Sequence, residues 1–249
     1  MQNLYESTQD LDNRACALYG LEPSILMENA ASSLHQALEK RAGGLKKVLV
    51  VCGGGDNGGD GYALARRLQG GKFSVQVLSV KEPKSPLCQI QYQRALASRV
   101  EILPRLELCE QPEVVVDCLF GSGLKGALSP ELQDLIAQLN ALKALKIACD
   151  IPSGLDAQGF VESVAFRADM SVSMGALKSG LFSDFAKDFV GEVVVGDLGV
   201  GRGLYEEESG LFLLERSDLV LPWRLKQNTH KGYFGHVGVV VGGKVGRAF

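Results

Sequence analysis

The sequence predicts a Rossmann-like three-layer αβα sandwich, with a mostly parallel sheet and helices at its N-terminus. Three observations predict it. Beyond Gly44, short β-branched runs alternate with longer amphipathic stretches, the pattern of βαβ units. The runs are predominantly apolar, as expected of strands covered on both faces. Four of them end in segments rich in glycine plus Asp, Asn, Ser or Lys, and an open parallel sheet binds ligands outside the carboxyl ends of its strands. These observations leave strand order unspecified.

Taken in order, Ser7 to Arg41 reads as helix with a turn at Gly20. Pro23 suits a first helical position, and Ile25, Leu26, Ala30, Leu34, Ala37 and Leu38 then recur at helical spacing. Strands are expected at Lys47–Cys52, Phe73–Val80, Val114–Cys118, Leu145–Cys149, Ala168–Met174 and Glu192–Val195. Helices are expected between the first four, at Gly61–Leu68, Leu87–Ser98 and Pro130–Leu142.

Composition bounds the function. A chain of 249 residues, 46% apolar and 22% charged, fits one large domain, or one domain plus a fragment of another, with a sizeable core. A net charge of −3 offers no basic footprint for nucleic acid or an anionic membrane. The N-terminus lacks the cationic start and apolar stretch of a signal peptide, and no apolar run approaches the roughly 18 residues of a spanning helix. Six cysteines never form C-x-x-C, and with three histidines no zinc spacing exists. Several close apolar runs, where a reduced, buried, structural thiol is expected. The expectation is a soluble cytoplasmic protein.

The strand ends carry the chemistry. Gly53–Gly58 satisfies G-x-G-x-x-G after a strand and before a helix, so its glycines could let backbone approach a phosphate, or could make a tight turn. Asp56 and Asp60 put carboxylates into that loop, which suits a pyrophosphate only with a cation or hydroxyl between. Asp117 lies inside an apolar strand, where a carboxylate must be paired, hydrogen-bonded or metal-bound; capping the next turn is the simpler alternative. Ser122 and Lys125 follow it with amides, a hydroxyl and a cation fit for a phosphate. Asp150 ends a strand before the rigid turn Ile151-Pro152-Ser153-Gly154 and is the candidate general acid or base, with an Asx turn or helix cap as its alternative. Lys178, after the fifth strand, is ambiguous alone.

Together GGGDNGGDG, DCLFGSGLKG and CDIPSGLD resemble the YjeF N-terminal family, the NAD(P)H-hydrate epimerases. Asp56 replaces the first asparagine of the family's G-x-G-N-N-G-G-D-G, and Cys118 and Ser122 are mild departures. LMENAA (Leu26–Ala31) and ALKSGL extend the resemblance, which covers roughly residues 1–215. From residue 216 to 249 the tail, with HKGYFGHVGVVVGG, resembles the opening of an ADP-dependent NAD(P)H-hydrate dehydratase domain, although GGKVGRAF departs from it. So short a piece cannot form that domain, and dehydratase activity is expected to be absent.

The resemblance implies that Asp56, Asn57, Gly58, Gly59 and Asp60, with Gly121, Ser122, Gly123, Leu124, Lys125, Gly126 and Ala127, bind the hydrated dinucleotide, and that Asp150 contacts it too. It implies a potassium ion (K+) held by Asn57, Asp117 and Ser153, which would explain an acidic phosphate loop. Lys81 matches a lysine proposed as Asp150's partner in some relatives. A homodimer through the N-terminal helices and functional coupling to a dehydratase are also implied. The implied activity interconverts the R and S forms of hydrated NADH and NADPH at nicotinamide C6, with Asp150 and Lys81 as acid–base groups. Asp150→Asn is then expected to abolish most turnover with little effect on folding. Two other readings stay open, a non-catalytic dinucleotide-binding or scaffold module, and an ordinary NAD(P) oxidoreductase. The acidic loop and the lack of a clear carboxylate at the second strand's tip disfavour the latter.

Overall fold

A computed structural model describes residues 1–124, 126–219 and 226–228 of the chain. In chain order its elements are β1 (Gln2–Tyr5), α1 (Gln9–Tyr19), α2 (Pro23–Ala42), β2 (Lys47–Cys52), α3 (Asp56–Leu68), β3 (Ser74–Ser79), α4 (Pro86–Ala97), β4 (Glu101–Leu103) and β5 (Val114–Cys118). There follow α5 (Pro130–Ala141), β6 (Leu145–Cys149), β7 (Met170–Met174), β8 (Leu177–Lys178), α6 (Lys187–Val190), β9 (Glu192–Gly196), α7 (Arg202–Tyr205) and β10 (Phe212–Leu213).

Seven strands form one parallel sheet in the order β4-β3-β2-β5-β6-β7-β9. The chain runs outward from β2 through β3 to β4, then returns to lay β5 against the other side of β2. The strand order therefore reverses between β2 and β5, and the adjoining tips diverge to leave a crevice. A small sheet of β10, β1 and β8 lies apart from the large one in its pairing.

Alternation along β2 shows why the strands read as unbroken apolar runs. Val48, Val50 and Cys52 join one core with Leu34 and Leu38 of α2 and Tyr62 and Leu64 of α3. Leu49 and Val51 join the opposite core with Leu132, Ile136 and Leu139 of α5. Both faces are covered, as a parallel sheet requires. Pro23 opens α2 at its first turn, and Gly20 closes α1 in the left-handed conformation at φ 66°.

The expected large-sheet strands are found within about two residues of their predicted ends. Two differences matter. The helix expected from Gly61 begins at Asp56, so Asn57 to Asp60 are helix and not loop. Glycine disfavours helix locally, and here close packing of those glycines overrides the propensity. The short strands β1, β4, β8 and β10 were not anticipated, since two to four residues carry too little periodicity to register.

Gln2–Leu213 form one compact unit. Beyond it, Arg216–Asp218 form a single 3-10 turn whose capping bonds join Glu215 and Asp218. Most of the segment expected to resemble a dehydratase opening lies outside the described residues. Among the described residues, no helix is long and apolar enough to cross a membrane.

Candidate active site at the sheet's switch point

A cavity of about 980 Å³ opens over the tips of β2 and β5. Asp56, Asn57 and Asp60 line it from α3, Lys81 from the segment after β3, and Gly121 to Leu124 from the loop after β5. Asp150 lines it from the tip of β6 and Asp12 from α1.

Asp150 is the most constrained of these residues. Its φ of 68° is left-handed, a conformation that Asp and Asn tolerate better than other residues bearing a side chain. The bend is held by its own N–H, which donates to the Val172 carbonyl at 2.8 Å. It turns the carboxylate toward Lys178, whose Nζ lies 2.5 Å from Oδ1 and is 2% exposed. The Met174 N–H donates to Oδ1 at 3.3 Å and the Ser122 N–H to Oδ2 at 3.4 Å. Lys178 also donates to the Met174 carbonyl at 3.3 Å. One buried ammonium and two amides thus aim a single carboxylate at the cavity. Such an anchored group can take or give a proton at a fixed position.

Asp117 sits deeper, in β5. Its carboxylate accepts from the Leu119 N–H at 3.1 Å, the Ser153 N–H at 2.8 Å and the Ser153 hydroxyl at 2.7 Å. Burial nevertheless lifts this carboxyl to about 6. The Phe120 N–H donates to the Ser153 hydroxyl at 2.9 Å, tying the loop after β5 to the turn after β6. Asn57 Nδ2 is buried without a hydrogen-bond partner. Burial, then the charges of Asp150 and Asp56, push the Asp60 carboxyl well above the usual carboxylate range. Asp60 Oδ2 accepts from the thiol of Cys149, the residue before Asp150, at 3.9 Å.

The residues singled out in the sequence do not all converge. Asp56, Asn57, Asp60, Lys81, Gly121, Ser122, Gly123, Leu124 and Asp150 share the cavity. Gly58, Gly59, Gly126 and Ala127 do not line it among the described residues, and Lys125 lies outside those residues. A Cβ on Gly58 would meet the Gly53 carbonyl oxygen at 2.0 Å, and one on Gly59 the Met27 side chain at 2.7 Å. Lys81 Nζ stands 5.4 Å over the Phe120 ring, and the lysine against Asp150 is Lys178. The ALKSGL segment signalled that lysine without indicating its partner. Asp12, whose Oδ1 accepts from the Tyr205 hydroxyl at 2.6 Å, gave no signal in the sequence.

The strand tips, the crevice and the anchored carboxylate define a Rossmann-like protein with a polar ligand site. The family model "YjeF-related protein N-terminus" matches residues 23–180, and the chain belongs to that family. It is 48% identical over 246 residues to the bifunctional NAD(P)H-hydrate repair enzyme Nnr of Helicobacter pylori, covering 97% of this chain and 52% of that protein. It is 34% identical over 207 residues to the NAD(P)H-hydrate epimerase of Oenococcus oeni, covering 80% of this chain and 99% of that one. The chain spans about half the length of the bifunctional relatives it matches. The crystal structure of yeast ynu0, YNL200c, shares the fold with a TM-score of 0.69 at 19% identity, over 90% of this chain and 100% of that one.

Proposed function

We propose that the protein interconverts the R and S forms of hydrated NADH and NADPH at nicotinamide C6. The observation that carries this reading is the Asp150 carboxylate, fixed at the rim of the switch-point cavity by Lys178 and two backbone amides. C6 of the damaged cofactor bears a hydroxyl, so inversion breaks a bond there and re-forms it from the other face. Proton transfer from a positioned side chain typically contributes about 10²–10⁴-fold to such a step. Asp56, Asn57, Asp60 and the segment from Gly121 to Leu124 would hold the dinucleotide, and Lys81 would assist from the rim. No redox step is involved, so the nucleotide is substrate and not cofactor.

A potassium ion belongs to the same proposal. Among the described residues, no three His, Cys, Asp or Glu side chains gather as a metal site. The donors offered by Asp117, Ser153 and Asn57 are one carboxylate plus neutral oxygens, a set suited to a hard cation of low charge. The ion would meet Asn57 through its Oδ1, while the partnerless Nδ2 is a donor that suits an acceptor oxygen of the substrate. When bound, the ion would supply positive charge beside an acid-rich loop. Homodimerisation and coupling to a dehydratase follow the family resemblance, and a cytoplasmic setting is the reading that the free, unpaired cysteines support.

The epimerase reading is tested by chromatographic separation of the two epimers over time, starting from pure R epimer in potassium buffer. The expected result is equilibration well above the spontaneous rate. A rate equal to the spontaneous one would return the chain to the reading of a binding module.

The cation has its own test. Because burial raises Asp117 in the folded state, its contribution to stability without a cation is present below about pH 4 and lost as pH rises through about 6. A bound cation needs the ionised carboxylate and reverses that trend. Potassium is therefore expected to raise the melting temperature at about pH 8, where roughly a hundredfold excess over Kd contributes about 2.7 kcal/mol, and to do little at about pH 5. In Asp117→Asn the potassium effect should vanish. An effect equal at both pH values would remove Asp117 from the ligand set.

A further inference from the structure

Inversion at one carbon calls for proton transfer on both faces of the ring, and Asp150 occupies only one wall of the cavity. Asp60 shares that wall, since its carboxyl meets the thiol of Cys149, the residue before Asp150. Asp12 reaches the cavity from a different element, α1. Its Oδ1 accepts from the Tyr205 hydroxyl at 2.6 Å, while Oδ2 has no hydrogen-bond partner among the described residues. Tyr205 is itself 2% exposed and packs on Gly175, where a Cβ would come within 2.5 Å of the phenol oxygen. Gly175 lies between Met174 and Lys178, both of which hold Asp150. One turn thus seats the anchor of Asp150 and the tyrosine that presents Asp12. Asp12 and Tyr205 both lie outside the residues matched by the family model.

We propose that Asp12 is a second catalytic residue, a general acid working on the ring face opposite to Asp150. The inference rests on the epimerase reading above. Protonated Asp12 gives its proton to the C6 hydroxyl. The C6–O bond breaks with its electron pair leaving on oxygen as water, and the positive charge left at C6 is shared with ring N1. A water molecule adds to the other face, and its surplus proton passes to the Asp150 carboxylate. One proton has moved from Asp12 to Asp150, and the S-to-R reaction or exchange with solvent returns it. Tyr205 is a positioning residue, because it acts only through Asp12.

The charges around Asp12 agree with this role. Burial raises its carboxyl above the usual carboxylate value, the Tyr205 hydrogen bond and the Lys178 charge lower it, and the Asp150 charge raises it. Asp60, on α3, is the other titratable neighbour that feels Asp12.

The test compares wild type, Asp12→Asn and Tyr205→Phe in the full chain, following R-to-S conversion for kcat, KM and pH profile alongside thermal unfolding. Asp12→Asn is expected to lose about 10²–10⁴-fold in kcat, with KM changed less than about threefold. Wild-type rate should fall toward high pH as Asp12 loses its proton, and that limb should be missing in Asp12→Asn. Removing the Tyr205 hydroxyl takes away a bond that favours the ionised carboxylate, so Tyr205→Phe should move the limb to higher pH. A merely structural tyrosine would not move it. Wild-type kcat in a folded Asp12→Asn, or a limb that survives there, would overturn the proposal while leaving the epimerase reading intact. Should Asp12→Asn fail to fold, an unmoved limb in Tyr205→Phe overturns it. An inactive wild type would instead defeat the epimerase reading itself, and this proposal with it.

Discussion

Asp150→Asn is expected to lower epimerisation by about 10²–10⁴-fold and also to destabilise the fold by about 3–5 kcal/mol. The first effect follows from the loss of the anchored acid–base group. The second follows from Lys178, an ammonium 2% exposed whose counter-charge lies 2.5 Å away on Asp150. Removing one member of a buried pair leaves the other charge uncompensated, which costs far more than the pair was worth. The backbone is not at fault, since Asn tolerates the left-handed φ of 68° as Asp does. The buried pair thus leads to a different expectation from that of the sequence, which implied little effect of Asp150→Asn on folding. That expectation could not include a lysine 28 residues farther along the chain. The double variant Asp150→Asn/Lys178→Met removes both charges and should recover most of the stability but none of the turnover. Thermal unfolding of the two variants beside the epimer assay separates the effects. A melting temperature in Asp150→Asn equal to that of wild type would show that the pair contributes nothing to the fold.

Gly53→Ala is expected to destabilise the protein by at least the upper end of the range of about 1–3 kcal/mol usual for overpacking. Its Cβ would lie 2.0 Å from the Leu119 carbonyl oxygen, a backbone atom that cannot swing aside. Gly54 faces the Glu82 carbonyl oxygen at 2.5 Å, and Gly61 the Cys52 and Cys118 side chains at 2.6 and 2.8 Å. Of the first three glycines in the motif, Gly55 alone has open space where a Cβ would go, and it lines the cavity. Gly55→Ala should therefore melt within about 2 °C of wild type, the shift that about 0.5 kcal/mol makes in a chain of this size, and express its effect as a higher KM. Melting curves and substrate titrations of the two alanine variants check this together. Equal stability for Gly53→Ala and Gly55→Ala would contradict the packing described here.

The motif thus shows where reading the chain succeeds and where it stops. Gly53–Gly61 marks a strand-to-helix junction at a ligand site, and that much follows from its composition and its place after Lys47–Cys52. The same residues suggested a phosphate-approaching loop. In the fold most of those glycines are occupied by the protein's own backbone and side chains, and the helix starts five residues earlier than periodicity implied. Close approach between segments is a property of pairs, and one member of each pair lies far off in the chain.

The parallel sheet, the direction of its strands and the set of tips that carry polar residues are all legible in the order of residues. Those features are local, because burial on both faces makes a strand apolar throughout and a tip announces itself by glycine and carboxylate. Folding in three dimensions adds that β5 returns beside β2, that Lys178 meets Asp150, and that Tyr205 reaches Asp12 across 193 positions of chain. Periodicity records which side of an element is buried and carries no record of its neighbour. Strand order, set by how the crossovers pack, joins those distant residues into one site.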